Sequence, residues 1–125
     1  SVLTAAGRIE DCYVDGSIHG GERTGGMIGE VYLSSGATIV RGYSRAQVTT
    51  ENAGDLHHAI IAYDGDQVSA TDVHFDIERG PTTSGMSSGT VGNTSAQLRT
   101  ASTFSGWSTT VWNLVDGAYP TLKDD

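Results

Sequence analysis

The sequence predicts an all-β chain, a short right-handed parallel β-helix, or solenoid, of about three coils closed by an aromatic C-terminal cap. Three observations predict it. A phrase that starts at Gly7 returns at a constant offset, with Ile9 recurring as Ile39 and Tyr13 as Tyr43. Apolar and polar residues alternate within each copy, which is the period of a strand rather than of a helix. The composition suits tight turns: of 125 residues, 17 are Gly and 28 are Ser or Thr, while only 18% are charged and two are Pro.

The first strand phrase runs from Gly7 to Ile18 and the second from Gly36 to Val48. With Ile9 placed on Ile39, Tyr13 falls on Tyr43, Gly16 on Ala46 and Ile18 on Val48. A weaker third copy begins near Gln67 and offers Val73, Phe75 and Ile77, with Phe75 in the place of the tyrosine. A second anchor has nearly the same period, since Met27, Leu56 and Met86 follow Gly26, Asp55 and Gly85. Cys12, Val14, Gly16 and Ile18 alternate with Tyr13, Asp15 and Ser17, and Met27, Gly29, Val31 and Leu33 with Ile28, Glu30 and Tyr32. Gly20-Gly21, Gly25-Gly26, Ser35-Gly36, Asp64-Gly65 and Ser84-Gly85 separate the strands, because glycine supplies the positive φ a tight turn needs. Ala53–Asp64 carries the nearest approach to a helical period, in Leu56, Ala59, Ile60 and Tyr63, but Ala59-Ile60-Ile61-Ala62 reads equally as a buried strand. Repeats of this length bury their apolar rows by stacking. The chain is then one domain over 1–125, with coils in 7–92 and a cap in 93–125. The handedness is the usual one for parallel crossovers.

Cys12, Tyr13, Gly25, Gly26, Met27, Gly42, Tyr43 and Phe75 are the predicted structural residues of the repeat. Phe104, Trp107, Trp112, Tyr119, Pro120 and Leu122 are those of the cap. Both tryptophans lie in this one segment, and large aromatic rings bury enough area to close the last coil. Asp116-Gly117 between apolar runs is a hairpin signal, and Pro120 suits an edge strand because it cannot donate a ladder bond. The competing reading makes the same aromatics a ligand platform. Trp107→Ala separates the two, since a cap residue is expected to cost folding cooperativity and a platform residue only binding.

These phrases resemble the GLUG repeat family of bacterial surface and phage structural proteins. Gly7-x-Ile9-x-x-Cys12-Tyr13-x-x-Gly16-x-Ile18 is similar to the family's strand phrase, and Gly25-Gly26-Met27-Ile28-Gly29 to its Gly-Gly-Leu-Val-Gly signature. Ala37-Thr38-Ile39 with Gly42-Tyr43 is a second strand phrase. The ending is similar too: Ser95-Ala96-Gln97-Leu98, Thr103-Phe104-Ser105-Gly106-Trp107, Val111-Trp112-Asn113 and Tyr119-Pro120-Thr121-Leu122. The middle departs from the pattern, with Gly54-Asp55-Leu56-His57-His58 where a second Gly-Gly-Leu-Val-Gly would stand. The resemblance implies an adhesin-like parallel β-helix or a phage structural part, and no catalytic residues.

Charge and motifs exclude several classes of function. Fifteen Asp and Glu against seven Lys and Arg give a net charge of -8. The few cations are scattered, so a nucleic-acid footprint is missing and anionic membranes are disfavoured. No apolar run reaches membrane-spanning length. Ser1–Gly7 lacks a signal-peptide pattern, and the chain opens without Met, which implies processing, excision or export by another route. Cys12 is the only cysteine, so it forms no internal disulfide and reads as a core residue.

Phosphate-loop, dinucleotide and His-Glu-x-x-His signatures are absent. Ser87-Ser88-Gly89-Thr90-Val91-Gly92 has no lysine and reads as a turn, and Asn93-Thr94-Ser95 meets the glycosylation pattern. Adjacent His57 and His58 point to opposite faces of a strand, which argues against a shared metal. His19 and His74 have only carboxylates as ligand-type neighbours at short spacing. Carboxylates cluster at Glu10-Asp11-Asp15, Asp64-Asp66 and Asp72-Asp76-Glu78. Asp64 and Asp66 with turn carbonyls are the arrangement closest to a Ca²⁺ site, yet Gly-Gly-x-Gly-x-Asp is absent, so no cofactor is assigned. Paired carboxylates also cleave glycosidic bonds. A polysaccharide-degrading enzyme would lose turnover on removing Asp72, Asp76 or Glu78.

The expected function is therefore a non-catalytic structural and binding module outside the cell, on a bacterial surface or a virion. Its partners would be a surface glycan, a protein receptor, or other surface or virion subunits, met through exposed turns at 19–24, 49–55 and 79–92. Assembly is expected from the exposed edges. Two alternatives follow, a capsid decoration or assembly subunit with no receptor, and the enzyme.

Overall fold

The computed structural model describes residues 2–3, 7–31, 37–52, 54, 56–63, 68–79 and 89–124. Among these described residues thirteen strands follow in order: β1 (Val2–Leu3), β2 (Gly7–Val14), β3 (Ser17–Gly20), β4 (Arg23–Gly25), β5 (Ile28–Val31), β6 (Ala37–Ser44), β7 (Gln47–Thr50), β8 (Leu56–His58), β9 (Ile61–Tyr63), β10 (Val68–Asp76), β11 (Thr90–Asn93), β12 (Trp112–Asn113) and β13 (Thr121–Leu122). A helical turn, α1 (Ser95–Leu98), and a 3₁₀ turn over Ala101–Phe104 lie between β11 and β12.

The expected three-coil, right-handed solenoid is corrected by this arrangement. The strands fall into five small sheets among the described residues, four parallel and one antiparallel. The largest has four strands in the order β11-β10-β6-β2. The reason is that the repeat does not hold its length. Ile9 lies opposite Ile39, Tyr13 opposite Tyr43 and Ile18 opposite Val48, all at one constant spacing. Then Arg23 lies opposite Leu56, a longer step, because the second pass is extended between Thr50 and Leu56. Met27 therefore does not meet Leu56. Its backbone N–H donates to the Ile60 carbonyl at 2.9 Å. Among the described residues a third pass supplies β10 alone before Val73 meets Thr90, a much shorter step, and the chain goes on into the helical segment. Phe75 does not stand in the tyrosine column either, because His74 pairs with Tyr43 and Phe75 with Ser44. Met86, Asp55, Asp64, Asp66, Ser84 and Gly85 lie outside the described residues.

One backbone feature rewrites the alternation. Asp11, Arg41 and Asp72 all have positive φ, at 52°, 52° and 54°. They occupy equivalent places in β2, β6 and β10, where the ladder skips one pairing. A left-handed residue shifts the following side chains to the other face. In β6, Ala37 and Ile39 belong to one core but Tyr43 to another, although all three numbers are odd. In β10, Val68 and Ala70 pack on the first core, and after Asp72 so do Val73 and Phe75. Asp tolerates this conformation, while for most residues it costs about 1–2 kcal/mol.

Two cores flank the four-stranded sheet. The first gathers Ile28, Ala37, Ile39, Ala59, Ile60, Ile61, Val73 and Phe75, with Ile9 and Met27 packed against them. The second gathers Tyr43, Leu98, Phe104, Trp107 and Trp112, with Tyr13, Tyr119 and Leu122 at its margin. The C-terminal segment thus covers the tyrosine face of the sheet. Its first turn is held by a capping box in which the Thr94 hydroxyl accepts from the Gln97 N–H and the Gln97 side chain accepts from the Thr94 N–H. β12 and β13 then pair antiparallel, Trp112 opposite Leu122, with Gly117 at φ 92° in the connection.

Candidate functional site

Three columns of side chains run across the parallel strands, and each is built by the register. The first is Asp11, Arg41 and Asp72. Arg41 donates from Nε to Asp11 Oδ1 at 2.8 Å and from Nη2 to Asp11 Oδ2 at 3.1 Å, with a further bond to Glu10 at 3.2 Å. Trp112 Nε1 donates to Asp11 Oδ1 at 2.9 Å, tying the cap to the sheet. The Arg41 hydrogen bonds hold the Asp11 carboxyl below its ordinary range, against the opposing effect of desolvation and with help from Trp112. The same bonds raise the Arg41 guanidinium, to which the charges of Glu10 and Asp72 contribute.

A titration follows. Because the folded Asp11 is more acidic than the unfolded one, whose pKa is about 3.9, its stabilisation is complete above that value. It is lost as pH falls through the folded value. Denaturant unfolding followed by tryptophan fluorescence between pH 7 and 2 is expected to show this loss below about pH 4. Asp11→Asn is expected to start less stable at pH 7 and to lose less on acidification. Equal acid losses in the two proteins would contradict the assignment.

The second column is aromatic. Tyr13 stacks on Tyr43 with centroids 5.2 Å apart and planes 6° off parallel. His74 follows in register and meets Phe104 edge-on at 5.0 Å. Trp107 and Trp112 cover Tyr43 at 6.5 and 6.3 Å. The Tyr43 hydroxyl donates to the Pro120 carbonyl, and burial pushes its pKa well above the ordinary tyrosine value. The third column is Asp15 and Arg45, joined at 3.0 Å, with the Arg45 guanidinium 3.4 Å above the Tyr119 ring.

Asp76, Glu78, His74 and His19 hold hydrogen bonds within the fold. Asp76 is 2% exposed and accepts from the Glu78 N–H at 2.8 Å and from the Ser95 hydroxyl at 2.7 Å. Glu78 accepts from the Ser95 N–H at 2.6 Å, so both acids hold the start of α1. Asp72, the third member of the Asp11 column, is exposed. His74 is buried and bonds Asn93 at 2.7 Å, and His19 bonds Thr49 at 2.8 Å. His57 and His58 follow each other in β8 and are half-buried. Burial, then the charge of Asp11, pushes the Cys12 thiol up. Among the described residues no three His, Cys, Asp or Glu gather as metal ligands. The described part of the 79–92 turn carries exposed Gly89, Val91 and Gly92.

Among the described residues, one end of the parallel sheets is formed by β2 and β3. β2 and β3 are terminal strands, and among the described residues each is paired on one side only. Their apolar residues are half-buried where the strands behind them are closed. Ile9 and Ile18 are intermediate, against 0% exposure for their partners Ile39 and Val48. Glu10 (42% exposed) and Asp15 (49%) stand along the same edge. The sequence points to exposed edges in general but not to this one, because which strand is terminal depends on β1 pairing with β5 and not with β2. No protein-family model, no curated protein and no solved structure matches this chain, so the resemblance to known repeats rests on the quoted phrases alone.

Proposed function

We propose that the chain is a non-catalytic structural and binding module displayed outside the cell, on a bacterial surface or a virion, where it docks on neighbouring subunits or a receptor. The observation that carries this reading is the division of labour among the polar groups. Asp11, Asp76, Glu78 and His74 are committed to holding strands, cap and helix start, while β2 and β3 are paired on one side only among the described residues and leave Ile9 and Ile18 half-exposed. The GLUG-like phrases support the same class. A docking or decoration role on protein is favoured over glycan binding, because Trp107 and Trp112 are 5% and 0% exposed and offer no face to a sugar ring.

Fractionating the native source tests the proposal, with the chain followed by mass spectrometry across soluble, envelope and particle fractions. Many copies sedimenting with particles, or retention with the envelope or medium, is the expected result. A chain that stays in the soluble fraction and turns over a polysaccharide would overturn it.

A further inference from the structure

We infer that Asp15-Gly16, the corner between β2 and β3, is a site of spontaneous aspartate isomerisation, at which the chain is modified with age. An aspartate isomerises when the amide nitrogen of the next residue attacks its side-chain carboxyl. Glycine in the next place leaves that nitrogen unshielded. Asp15-Gly16 and Asp116-Gly117 both meet this condition, and Asp64-Gly65 lies outside the described residues. The structure sets the two described pairs apart.

At the first pair, the Gly16 N–H donates to Asp15 Oδ1 at 2.7 Å, so the carboxyl is folded onto the nitrogen that attacks it. Holding reacting groups at near-contact distance removes much of the entropic cost of a ring closure. The face of the carboxyl is presented by rotation about Cβ–Cγ, a torsion with a broad range in aspartate. Gly16 is exposed and nothing lies within 4 Å of the place of a Cβ, so the ring has room. Asp15 is paired with Arg45 at 3.0 Å and Arg79 at 3.8 Å, but its side chain is 49% exposed, and surface ion pairs of this kind are too weak to lock it.

At the second pair, the Gly117 N–H donates to the Arg99 carbonyl at 2.7 Å, while Asp116 Oδ1 accepts from the Ala101 N–H at 2.9 Å. Nucleophile and carboxyl are each held by a different group.

The reaction needs only water and a solvent proton. The proton converts the Asp15 carboxylate to the acid. The Gly16 nitrogen bonds to Cγ, and the carboxyl hydroxyl leaves with the amide proton as water. Water then opens the succinimide. Opening at the main-chain carbonyl of Asp15 leaves the chain running through Cβ and Cγ, one carbon longer, with a carboxylate on Cα, and returns the proton to solvent. The corner between the Arg45 N–H bond to Val14 and the Gln47 N–H bond to Gly16 is thereby lengthened, and Arg45 and Arg79 lose the carboxylate they share.

The test incubates the folded chain for weeks in mildly acidic buffer made with heavy-oxygen water. Peptide mapping with electron-transfer fragmentation, which tells isoaspartate from aspartate, reads each position. Isoaspartate carrying one heavy oxygen is expected to accumulate at position 15 about tenfold or more faster than at 116. In urea, which removes the geometry, the two positions are expected to react at similar rates. Asp15→Glu is expected to abolish the product at 15, because the larger ring closes poorly, and to leave the rate at 116 unchanged. A folded chain in which Asp116 reacts as fast as Asp15, or in which neither reacts, overturns the inference. So does a preference for Asp15 that persists undiminished in urea, since local sequence rather than the fold would then set it.

Discussion

Trp112→Ala is expected to destabilise the protein by about 3–5 kcal/mol, the range for truncating a fully buried aromatic residue. Trp112 is 0% exposed, lies 4.5 Å from the Trp107 ring centroid and donates to Asp11 across 101 residues of sequence. It therefore holds both the cap and the charge column. A paired comparison separates the two contributions. Trp112→Phe keeps most of the ring but removes a hydrogen bond to a charged group, worth about 1.5–3 kcal/mol. Trp107 Nε1 has no hydrogen-bond partner among the described residues, so Trp107→Phe loses ring volume alone. Urea unfolding is expected to rank the variants Trp112→Ala, Trp112→Phe, Trp107→Phe in decreasing cost. Trp107→Ala is expected to lose folding cooperativity. A fully stable Trp107→Ala protein that has lost only binding would mean a ligand platform.

Gly26→Ala is the second large effect. A Cβ at Gly26 would lie 1.9 Å from the Ala59 carbonyl oxygen and 2.6 Å from Ser44 Oγ. At Gly25 it would lie 2.0 Å from the Ile28 carbonyl oxygen. The nearest neighbour at each is backbone beside the first core, which cannot rotate away. Relief requires the 25–28 turn to leave β8 and β9, so the cost is expected to exceed the about 1–3 kcal/mol usual for overpacking. Gly21→Ala is the control, since nothing lies within 4 Å of the added carbon. Thermal melts are expected to show Gly26→Ala strongly destabilised and Gly21→Ala near wild type. Similar melts for the two would contradict the close approach.

The register of the first two passes was legible because Ile9, Tyr13 and Ile18 recur at Ile39, Tyr43 and Val48 with no insertion between. The rest was hidden for physical reasons. The extension after Thr50 changes the pairing of β4 with β8, and an offset carried forward from Tyr43 cannot reveal it. The left-handed conformation at Arg41 has no sequence signature, so period two reads straight through it and puts Phe75 in the column of His74. α1 escapes the same reading although Thr94-x-x-Gln97 is a capping-box signal, because one turn is too short for a helical period to show. The acid clusters were visible, but their roles were not. Asp11 meets Trp112, and Asp76 meets Ser95, through contacts that span 101 and 19 residues.

Residue-resolved amide hydrogen exchange on the purified chain tests the central claim most directly. Amides of β6 and β7, paired on the side of β2 and β3 and buried behind them, are expected to be strongly protected. In β2 and β3, amides that donate to β6 and β7 are expected to be protected as well, while the alternate amides facing the open edge exchange at nearly the free rate. Uniform protection along β2 and β3, matching that of β6, would mean the edge is already covered and would contradict the account.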